Sequence, residues 1–238
     1  MDHKKVLKIK IYADGANIDD MLNAYKSKAV DGFTTNPTLM VKAGVKDYEK
    51  FAKEVLGQIR DLSISFEVFS DDFVDIERQA RKIKSWGNNV HVKIPITNTK
   101  GESSCPLIKK LAAEGTHLNV TAILTLDQVR EVAAVLQPDV PSIVSVFAGR
   151  VADTGVDPMP LMKDSAKILK SLPAAELLWA SSREVFNIFQ AQEAGCQIIT
   201  VTPEILKKLN MVGLDLKELS LDTVKLFYND GKKAGYSI

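Results

Sequence analysis

Eight short apolar segments alternate with longer amphipathic segments along the chain, and this alternation constrains the fold more than any other feature of the sequence. The short segments are rich in β-branched and other apolar residues, which is typical of strands buried on both faces of a parallel sheet. We therefore predict strands at Leu7–Ala13, Gly32–Thr35, Ser63–Val68, Val90–Ile94, Leu118–Ala122, Ser142–Val146, Leu177–Ala180 and Gln197–Val201.

The segments between these strands carry apolar residues at helical spacing. Asp71 is a predicted N-cap, because a carboxylate at that position accepts hydrogen bonds from the first turn of a helix. Gly195 is predicted to end another helix in the left-handed conformation that glycine adopts readily. The predicted helices are Tyr48–Gln58, Asp72–Ser85, Pro106–Glu114, Asp127–Leu136, Pro160–Ser171 and Arg183–Ala194.

Strands that alternate with helices are joined by right-handed crossovers and form a parallel sheet, and eight such units close into a barrel. The predicted fold is therefore α/β, a single (β/α)8 TIM barrel domain over residues 1–238 with an extra C-terminal helix. Residues 216–238 form this helical extension, with the helix itself predicted at Leu219–Tyr236. We expect it to pack outside the barrel or on a neighbouring subunit.

The composition limits the partners of such a protein. The 31 basic and 30 acidic residues are spread along the chain, so nucleic acid is not an expected partner. No segment approaches the roughly 18–20 apolar residues of a membrane span, and Met1–Lys5 does not lead into the apolar core of a signal peptide. Cys105 and Cys196 lack metal-ligand spacing. We expect no metal or other cofactor and a reducing, cytoplasmic location.

Polar residues and one phenylalanine lie at the C-terminal ends of seven predicted strands. These ends meet on one rim of a (β/α)8 barrel, where the active sites of such barrels lie. Inward-facing polar groups cost free energy unless they are paired or solvated, so their repetition on several strands indicates a site. The candidate site residues are Asp14, Thr34, Asn36, Glu67, Lys93, Asn119, Thr121, Ser145, Phe147, Arg150, Ser181 and Arg183.

Lys93 is the most informative of these residues, because Val92 and Ile94 flank it within a predicted buried strand. Burial disfavours the charged ammonium group, and a neutral amine is a nucleophile toward carbonyl carbons. The alternative is a structural lysine that extends to solvent or pairs with Glu67. The polar residues at the neighbouring strand ends favour the catalytic interpretation.

The other candidates also have structural alternatives when they are taken one at a time. Asp14 is also compatible with a helix cap before Ile18. Glu67 is compatible with a salt bridge to Lys93 or Arg150, and Arg150 and Arg183 with solvated charges on loops. A purely structural explanation for all of the strand ends together is poor.

Six short motifs resemble the transaldolase family, including its short-chain branch and the related fructose 6-phosphate aldolases. The combination of TTNP, VKIP and FxGR in this order is specific, whereas each motif alone is weak. The matching stretches are Asp14–Asn17, Gly32–Leu39, Val92–Pro95, Asn119–Thr121, Ser145–Arg150 and Ala180–Arg183.

The resemblance implies a (β/α)8 barrel and a metal-free aldol mechanism that proceeds through a lysine Schiff base. It implies that Lys93 carries the Schiff base and that Asp14 is the acid/base for the hydroxyl at the cleaved C–C bond. Glu67 resembles the family's partner that acts through a water molecule, which Thr121 would hold.

The resemblance also implies how a substrate is held. Asn36 and Asn119 would bind the hydroxyl groups of the donor sugar, with Thr34 and Ser145 nearby. Arginine suits phosphate because its guanidinium group forms two parallel hydrogen bonds. The expected ligands of a terminal phosphate are Arg150, Ser181 and Arg183.

The residue at position 147 separates two branches of the family. Phenylalanine there accompanies transferase behaviour and tyrosine accompanies the aldolase branch, so Phe147 favours a transaldolase. The sequence departs from the family pattern at Val146, Gly15 and Trp179. These departures bear on the identity of the donor or acceptor rather than on the chemistry.

The function expected from the resemblance is the transfer of a dihydroxyacetone unit from a ketose phosphate to an aldose phosphate. The ketose would be of the fructose 6-phosphate or sedoheptulose 7-phosphate type, as in the pentose phosphate pathway of carbohydrate metabolism. The alternatives are a lyase that releases dihydroxyacetone, the same chemistry on a sulfonated sugar, a sugar-phosphate isomerase, and a non-catalytic barrel that binds sugar phosphates. A homo-oligomer is expected.

Overall fold

Eight parallel strands form a closed barrel in the computed structural model, which describes residues 7–237. The strands follow one another in sequence order, and the first pairs with the last to close the sheet. This confirms the predicted (β/α)8 barrel. The strands are β1 (Lys10–Asp14), β2 (Gly32–Thr34), β3 (Ser63–Glu67), β4 (Val90–Pro95), β5 (Leu118–Ile123), β6 (Ser142–Val146), β7 (Ala175–Trp179) and β8 (Ile198–Val201).

Helices follow every strand and surround the barrel. A 3-10 turn, Leu209–Met211, precedes the last helix. The helices are α1 (Ile18–Lys26), α2 (Pro37–Lys42), α3 (Tyr48–Gln58), α4 (Phe73–Lys84), α5 (Cys105–Ala113), α6 (Leu126–Ala133), α7 (Ala148–Asp153), α8 (Met159–Leu169), α9 (Phe186–Ala194), α10 (Pro203–Lys208) and α11 (Leu216–Ala234).

The barrel strands contribute to two apolar clusters and also carry buried polar side chains. Outward-facing strand residues pack with the helices in one large core, which accounts for the apolar character of the strands. A second, smaller apolar cluster includes Ile143, Leu178 and Ile198 from β6, β7 and β8, together with Tyr12 and with Ala180, which follows β7. Buried polar side chains lie on β2 to β6 and on β8.

Several predicted boundaries differ from the structure for identifiable reasons. The N-cap of α4 is Asp72, whose carboxylate accepts from the Asp75 amide. The prediction of Asp71 was wrong, because its carboxylate accepts instead from the backbone and hydroxyl of Thr99 on a neighbouring loop. Gly195 ends α9 with φ of 87°, as predicted.

Helix α9 was predicted from Arg183 and begins at Phe186. The amides of Arg183 and Glu184 both donate to the Asn187 side chain, which holds this segment outside the helix. The last helix begins three residues earlier than the predicted Leu219, because the Asp215 carboxylate caps it.

Helix α11 makes little contact with the rest of the described chain, and none of its residues is buried. Leu221, Val224 and Phe227 are among its exposed apolar side chains. The outer ends of the predicted domain, residues 1–6 and 238, lie outside the described residues. Among residues 7–237, no helix combines the length and apolar composition that a membrane crossing requires.

Candidate active site

A cavity of about 510 Å³ opens at the C-terminal ends of the strands. Of the twelve candidate residues, eleven line this cavity, and Asn119 is the exception. Strands β1 to β7 and the segments that follow them supply these side chains. The topology of the barrel therefore gathers residues that lie up to 169 positions apart, from Asp14 to Arg183, around one space.

Lys93 lines the cavity and is only 6% exposed. Its Nζ atom lies 3.0 Å from Oε2 of Glu67 and donates a hydrogen bond to the Thr35 carbonyl at 3.1 Å. The pair is set by the sheet, because Lys93 and Glu67 are direct partners in the register of β3 and β4. Transfer of one proton from Lys93 to Glu67 along this contact leaves a neutral amine, which is a nucleophile toward carbonyl carbons.

The ion pair suggested as a structural alternative for Lys93 and Glu67 is therefore present. A buried ion pair costs desolvation free energy and is weak evidence of a contribution to stability. Its position in the wall of an open cavity makes both groups accessible to a bound substrate.

Asp14 ends β1 beside this pair. Its Oδ1 atom accepts a hydrogen bond from the Thr34 hydroxyl at 2.9 Å. Burial raises the pKa of the Asp14 carboxyl above its ordinary value, Glu67 adds to the rise, and Lys93 and Thr34 oppose it. The alternative role of Asp14 as a helix cap is wrong, because Asn17 caps α1.

Thr121 faces the cavity from an irregular part of β5. The register between β5 and β6 shifts between Val120 and Ile123, and Ala122 takes a left-handed φ of 61°. Bulges of this kind redirect side chains beside active sites. The buried Thr121 hydroxyl has no hydrogen-bond partner within residues 7–237. A buried hydroxyl is normally satisfied, so this one is suited to a water molecule or a substrate oxygen.

Asn119 is fully buried and does not line the cavity. Its carboxamide donates to the Ser65 hydroxyl at 2.9 Å and accepts from the Ser145 hydroxyl at 2.7 Å. Ser145 itself lines the cavity. The structure therefore makes Asn119 the support of Ser145, with one amide hydrogen and one oxygen lone pair left for other contacts.

Asn36 begins α2, and its Oδ1 atom accepts from the Leu39 amide at 3.0 Å. Because capping uses the oxygen, the amide nitrogen remains available as a donor to a molecule in the cavity. Pro37 at the first helical position fits the same local geometry.

The cationic end of the cavity lies where β6 and β7 run into α7 and the loop before α9. The Arg150 guanidinium lies over the Phe147 ring, 5.0 Å from its centroid. Arg183 Nε donates to Asp153 Oδ1 at 3.0 Å, and Nη2 donates to Oδ2 of the same carboxylate. Hydrogen bonding to Arg183 lowers the pKa of the Asp153 carboxyl. The two arginines and Asp153 together carry a net charge of +1 at this end.

Close backbone packing holds this end in place. Ser181 has a left-handed φ of 64°, and its carbonyl oxygen lies directly against Gly149 in α7. Any Cβ at position 149 would collide with that oxygen, so glycine is required there. The cation-bearing loop and helix are therefore locked to each other.

Several residues that contact the candidate groups were not among the sequence-based candidates: Thr35, Tyr48, Ser65, Asp153, Asn187 and Thr200. The Tyr48 hydroxyl accepts from the Glu67 amide and donates to the Glu67 carbonyl, both at 2.9 Å. Nothing in the sequence around Tyr48 signals this contact, since α3 reaches β3 only through packing. Thr200 did carry a signal, because it is a polar residue inside a predicted buried strand.

Comparison with known proteins identifies the family. The family model described as transaldolase/fructose-6-phosphate aldolase matches residues 11–238. The chain belongs to the transaldolase/fructose-6-phosphate aldolase family. Membership supports a transaldolase-like aldol function and agrees with the resemblance carried by the motifs at the strand ends.

Curated relatives share most of their length with this chain. A probable transaldolase of a Thermoanaerobacter species is 32% identical over 97% of this chain and all of its own length. A probable transaldolase of Dehalococcoides mccartyi is 32% identical over 84% of this chain and 90% of its own. A protein named probable transaldolase 2 from Listeria monocytogenes is 34% identical over 84% of this chain and 88% of its own.

The three departures from the family pattern lie outside the cavity lining. Val146 and Trp179 belong to the core between the barrel and its helices, so they face away from the site. Gly15 has open space where a side chain would stand. These three departures therefore leave the candidate residues of the cavity unchanged.

Proposed function

We propose that this protein is a transaldolase that transfers a dihydroxyacetone unit from a ketose phosphate to an aldose phosphate through a Schiff base on Lys93. The observation that carries the proposal is the buried Lys93 amine, 3.0 Å from the Glu67 carboxylate in a cavity that Asp14 also lines. Covalent catalysis of this kind divides one difficult cleavage into easier steps.

Schiff-base formation begins when Lys93 transfers a proton to Glu67. The neutral amine then adds to the ketose carbonyl carbon, and the carbinolamine loses its hydroxyl as water. Glu67 then returns its proton to the carbinolamine hydroxyl, which leaves as water. A water molecule held by the Thr121 hydroxyl, which has no hydrogen-bond partner among residues 7–237, carries this proton. The product is an iminium ion on Lys93.

Carbon–carbon cleavage follows at the neighbouring carboxylate. Asp14 removes the proton of the C4 hydroxyl, the C3–C4 bond breaks, and its electron pair moves into the iminium to give an enamine. An aldose phosphate leaves, and an acceptor aldehyde takes up the enamine by the same steps in reverse. Positioned proton transfer of this kind contributes about 10²- to 10⁴-fold. Asn36, Thr34 and Ser145 are suited to the donor's hydroxyl groups.

The anionic tail of the sugar is assigned to the cationic end of the cavity. Arg150, Arg183 and Ser181 all line it, and their donors suit a terminal phosphate. A sulfonate has the same three-oxygen geometry, so a sulfonated sugar is the second substrate class for the same residues. Competition of sugar sulfonates with sugar phosphates measures the preference.

Transfer rather than simple cleavage is favoured by Phe147. Its ring supports Arg150 and offers no hydroxyl to the cavity, so it adds no proton donor beside the enamine. The test is donor cleavage measured with and without an acceptor aldehyde. A transaldolase needs the acceptor for turnover, whereas a lyase releases dihydroxyacetone without it.

Catalysis itself is tested by replacing the lysine. Lys93→Ala should abolish turnover, and Lys100→Ala on the exposed β4–α5 loop serves as the matched control. A non-catalytic sugar-phosphate-binding barrel has no turnover to lose. A sugar-phosphate isomerase, which uses a carboxylate base, would keep its activity in Lys93→Ala.

We also propose that the protein acts as a homo-oligomer in the cytoplasm, with α11 packed on a neighbouring copy. Most of the stability of a helix in a protein comes from packing of its apolar face, and α11 leaves Phe227 and other apolar residues exposed. Cys105 and Cys196 are both unpaired thiols, as in a reducing compartment. In sedimentation velocity the wild type should be a multimer that Phe227→Glu dissociates and Lys233→Glu does not. A monomeric wild type contradicts the proposal.

A further inference from the structure

We propose that Thr200 is a positioning residue for Asp14 and acts through the hydroxyl of Thr34. The inference rests on the acid/base role proposed for Asp14. The Thr200 and Thr34 hydroxyl oxygens are 2.5 Å apart, and Thr34 in turn donates to Asp14 Oδ1 at 2.9 Å. Both threonines are almost completely buried, at 5% and 2% exposure.

Closure of the barrel brings these three residues together. Strand β1 lies between β2 and β8, and Thr34 is the direct partner of Asp14 in the register of β1 and β2. Thr200 stands on the other side of β1, opposite Tyr12. Two hydroxyls on the strands flanking β1 therefore meet over its inner face.

The direction of these hydrogen bonds follows from counting protons. The ionised Asp14 carboxylate has no proton to give, so Thr34 is the donor between these two groups. A threonine hydroxyl carries a single proton, and Thr34 uses its proton on Asp14. Thr200 must therefore donate to Thr34. The result is a chain of hydrogen bonds in which Thr200 donates to Thr34 and Thr34 donates to Asp14.

A directed chain strengthens the last hydrogen bond, because each donor polarises the next one in a low-dielectric interior. The strengthened bond favours the carboxylate form of Asp14, which is the form that accepts the C4 hydroxyl proton. Lys93 also favours this form, and burial and Glu67 oppose it. Thr200 thus contributes to keeping the base ionised without touching it.

The backbone of Thr200 is itself fixed. Its carbonyl oxygen accepts from the buried Ser182 hydroxyl at 2.9 Å. Ser182 belongs to the loop that carries Ser181 and Arg183, so Thr200, the first residue of the hydrogen-bond chain, is attached to the cationic end of the site.

A purely structural hydrogen bond between β2 and β8 would affect stability alone, whereas a positioning role also affects the pH dependence of catalysis.

The experiment compares Thr200→Val, which removes the hydroxyl at nearly constant shape, with Thr200→Ser, which keeps it. We expect Thr200→Val to lower kcat about fivefold to tenfold, the equivalent of one hydrogen bond. The acidic limb of its kcat–pH profile should move to higher pH by about half a unit or more. KM and borohydride trapping of the Schiff base should remain at the wild-type level, and Thr200→Ser should restore kcat and the profile.

Thr34→Val adds a second measurement, because it removes the direct donor. Its acidic limb should move further than that of Thr200→Val, and the double variant should match Thr34→Val, since Thr200 acts only through Thr34. Thr200→Ala replaces Thr200→Val if the valine variant does not fold.

A wild-type profile in the hydroxyl-free Thr200 variant would overturn the inference. A Thr200→Val variant with a lower unfolding temperature and kcat but an unchanged acidic limb of the kcat–pH profile would also overturn it. A Thr200→Ser variant as impaired as Thr200→Val would do the same. Failure of the underlying proposal has a different signature. If Asp14 is the acid/base, Asp14→Ala should still form the Schiff base and lose carbon–carbon cleavage. Full turnover by Asp14→Ala, or loss of its Schiff base, would instead contradict the role proposed for Asp14.

Discussion

The Lys93 Nζ and Glu67 Oε2 atoms lie 3.0 Å apart in the wall of a cavity at the C-terminal rim of the barrel. The sheet register fixes this relationship, since the two residues are direct partners on adjacent strands. The contact gives the lysine a proton acceptor at hydrogen-bond distance. A buried amine beside an open cavity and a proton acceptor has what carbonyl attack requires.

Replacement of Glu67 tests the proton transfers. Glu67→Gln keeps the shape of the side chain and removes its ability to take a proton, so kcat should fall about 100-fold or more. Single-turnover measurements should place the loss in Schiff-base formation. Glu176→Gln is the matched control, because Glu176 pairs with Lys10 at the opposite end of the barrel. Equal effects of the two substitutions would contradict the role of Glu67.

Tyr48 should matter for both stability and activity. Tyr48→Phe removes the hydroxyl that bonds both backbone groups of Glu67, so the free energy of unfolding should fall by about 1–3 kcal/mol. The kcat should fall as well, because Glu67 loses its support. Tyr25→Phe loses an exposed hydrogen bond to Asp61 and should change stability by less than about 0.5 kcal/mol. Urea unfolding measures both, and a neutral Tyr48→Phe would refute the prediction.

The two arginines should contribute unequally to recognition of the anionic tail. Arg150→Ala should raise KM for a phosphorylated donor about 10- to 100-fold, the range expected for hydrogen bonds to a charged group. Arg183→Ala should raise it less, because Asp153 already engages that guanidinium. Arg130→Ala, on the surface of α6, is the control. An unphosphorylated donor should show no difference among the variants, and a larger effect of Arg183→Ala would reverse the assignment.

His91, at the N-terminal end of the barrel, should make stability depend on pH. Burial lowers the pKa of His91 from 6.5 to about 4, with a smaller contribution from His117 and Lys10. The folded protein therefore holds this imidazole neutral, and its contribution to stability is complete above pH 6.5. That contribution should be lost as the pH falls toward 4, by roughly 3 kcal/mol. Urea unfolding of the wild type and His91→Gln at pH 7 and 4.5 should show a flatter dependence in the variant.

The sequence predicted the barrel and most of the site for a single reason. Strand position and polar character are both visible in the chain, and a closed barrel converts strand ends into one rim. Asp14, Lys93 and Arg183 could thus be grouped without knowledge of any contact. The order and pairing of the strands follow from the same alternation.

The features that sequence reasoning missed depend on contacts between distant segments. Asp71 and Asp72 are equally suitable caps, and the contact of Asp71 with Thr99 leaves the cap to Asp72. Thr34 and Thr200 are 166 positions apart and meet only because β1 pairs with β8. Arg183 was recognised as a cation, whereas its pairing with Asp153 required the geometry of α7.

The most direct test of the account is chemical trapping of the lysine adduct. The protein is incubated with fructose 6-phosphate, reduced with borohydride, digested and mapped by peptide mass, with Lys93→Ala as the control. The account predicts one stable adduct, on Lys93, that carries the mass of the reduced sugar or dihydroxyacetone unit and is absent from the variant. An adduct on another lysine, or turnover of this donor without any adduct, would contradict it.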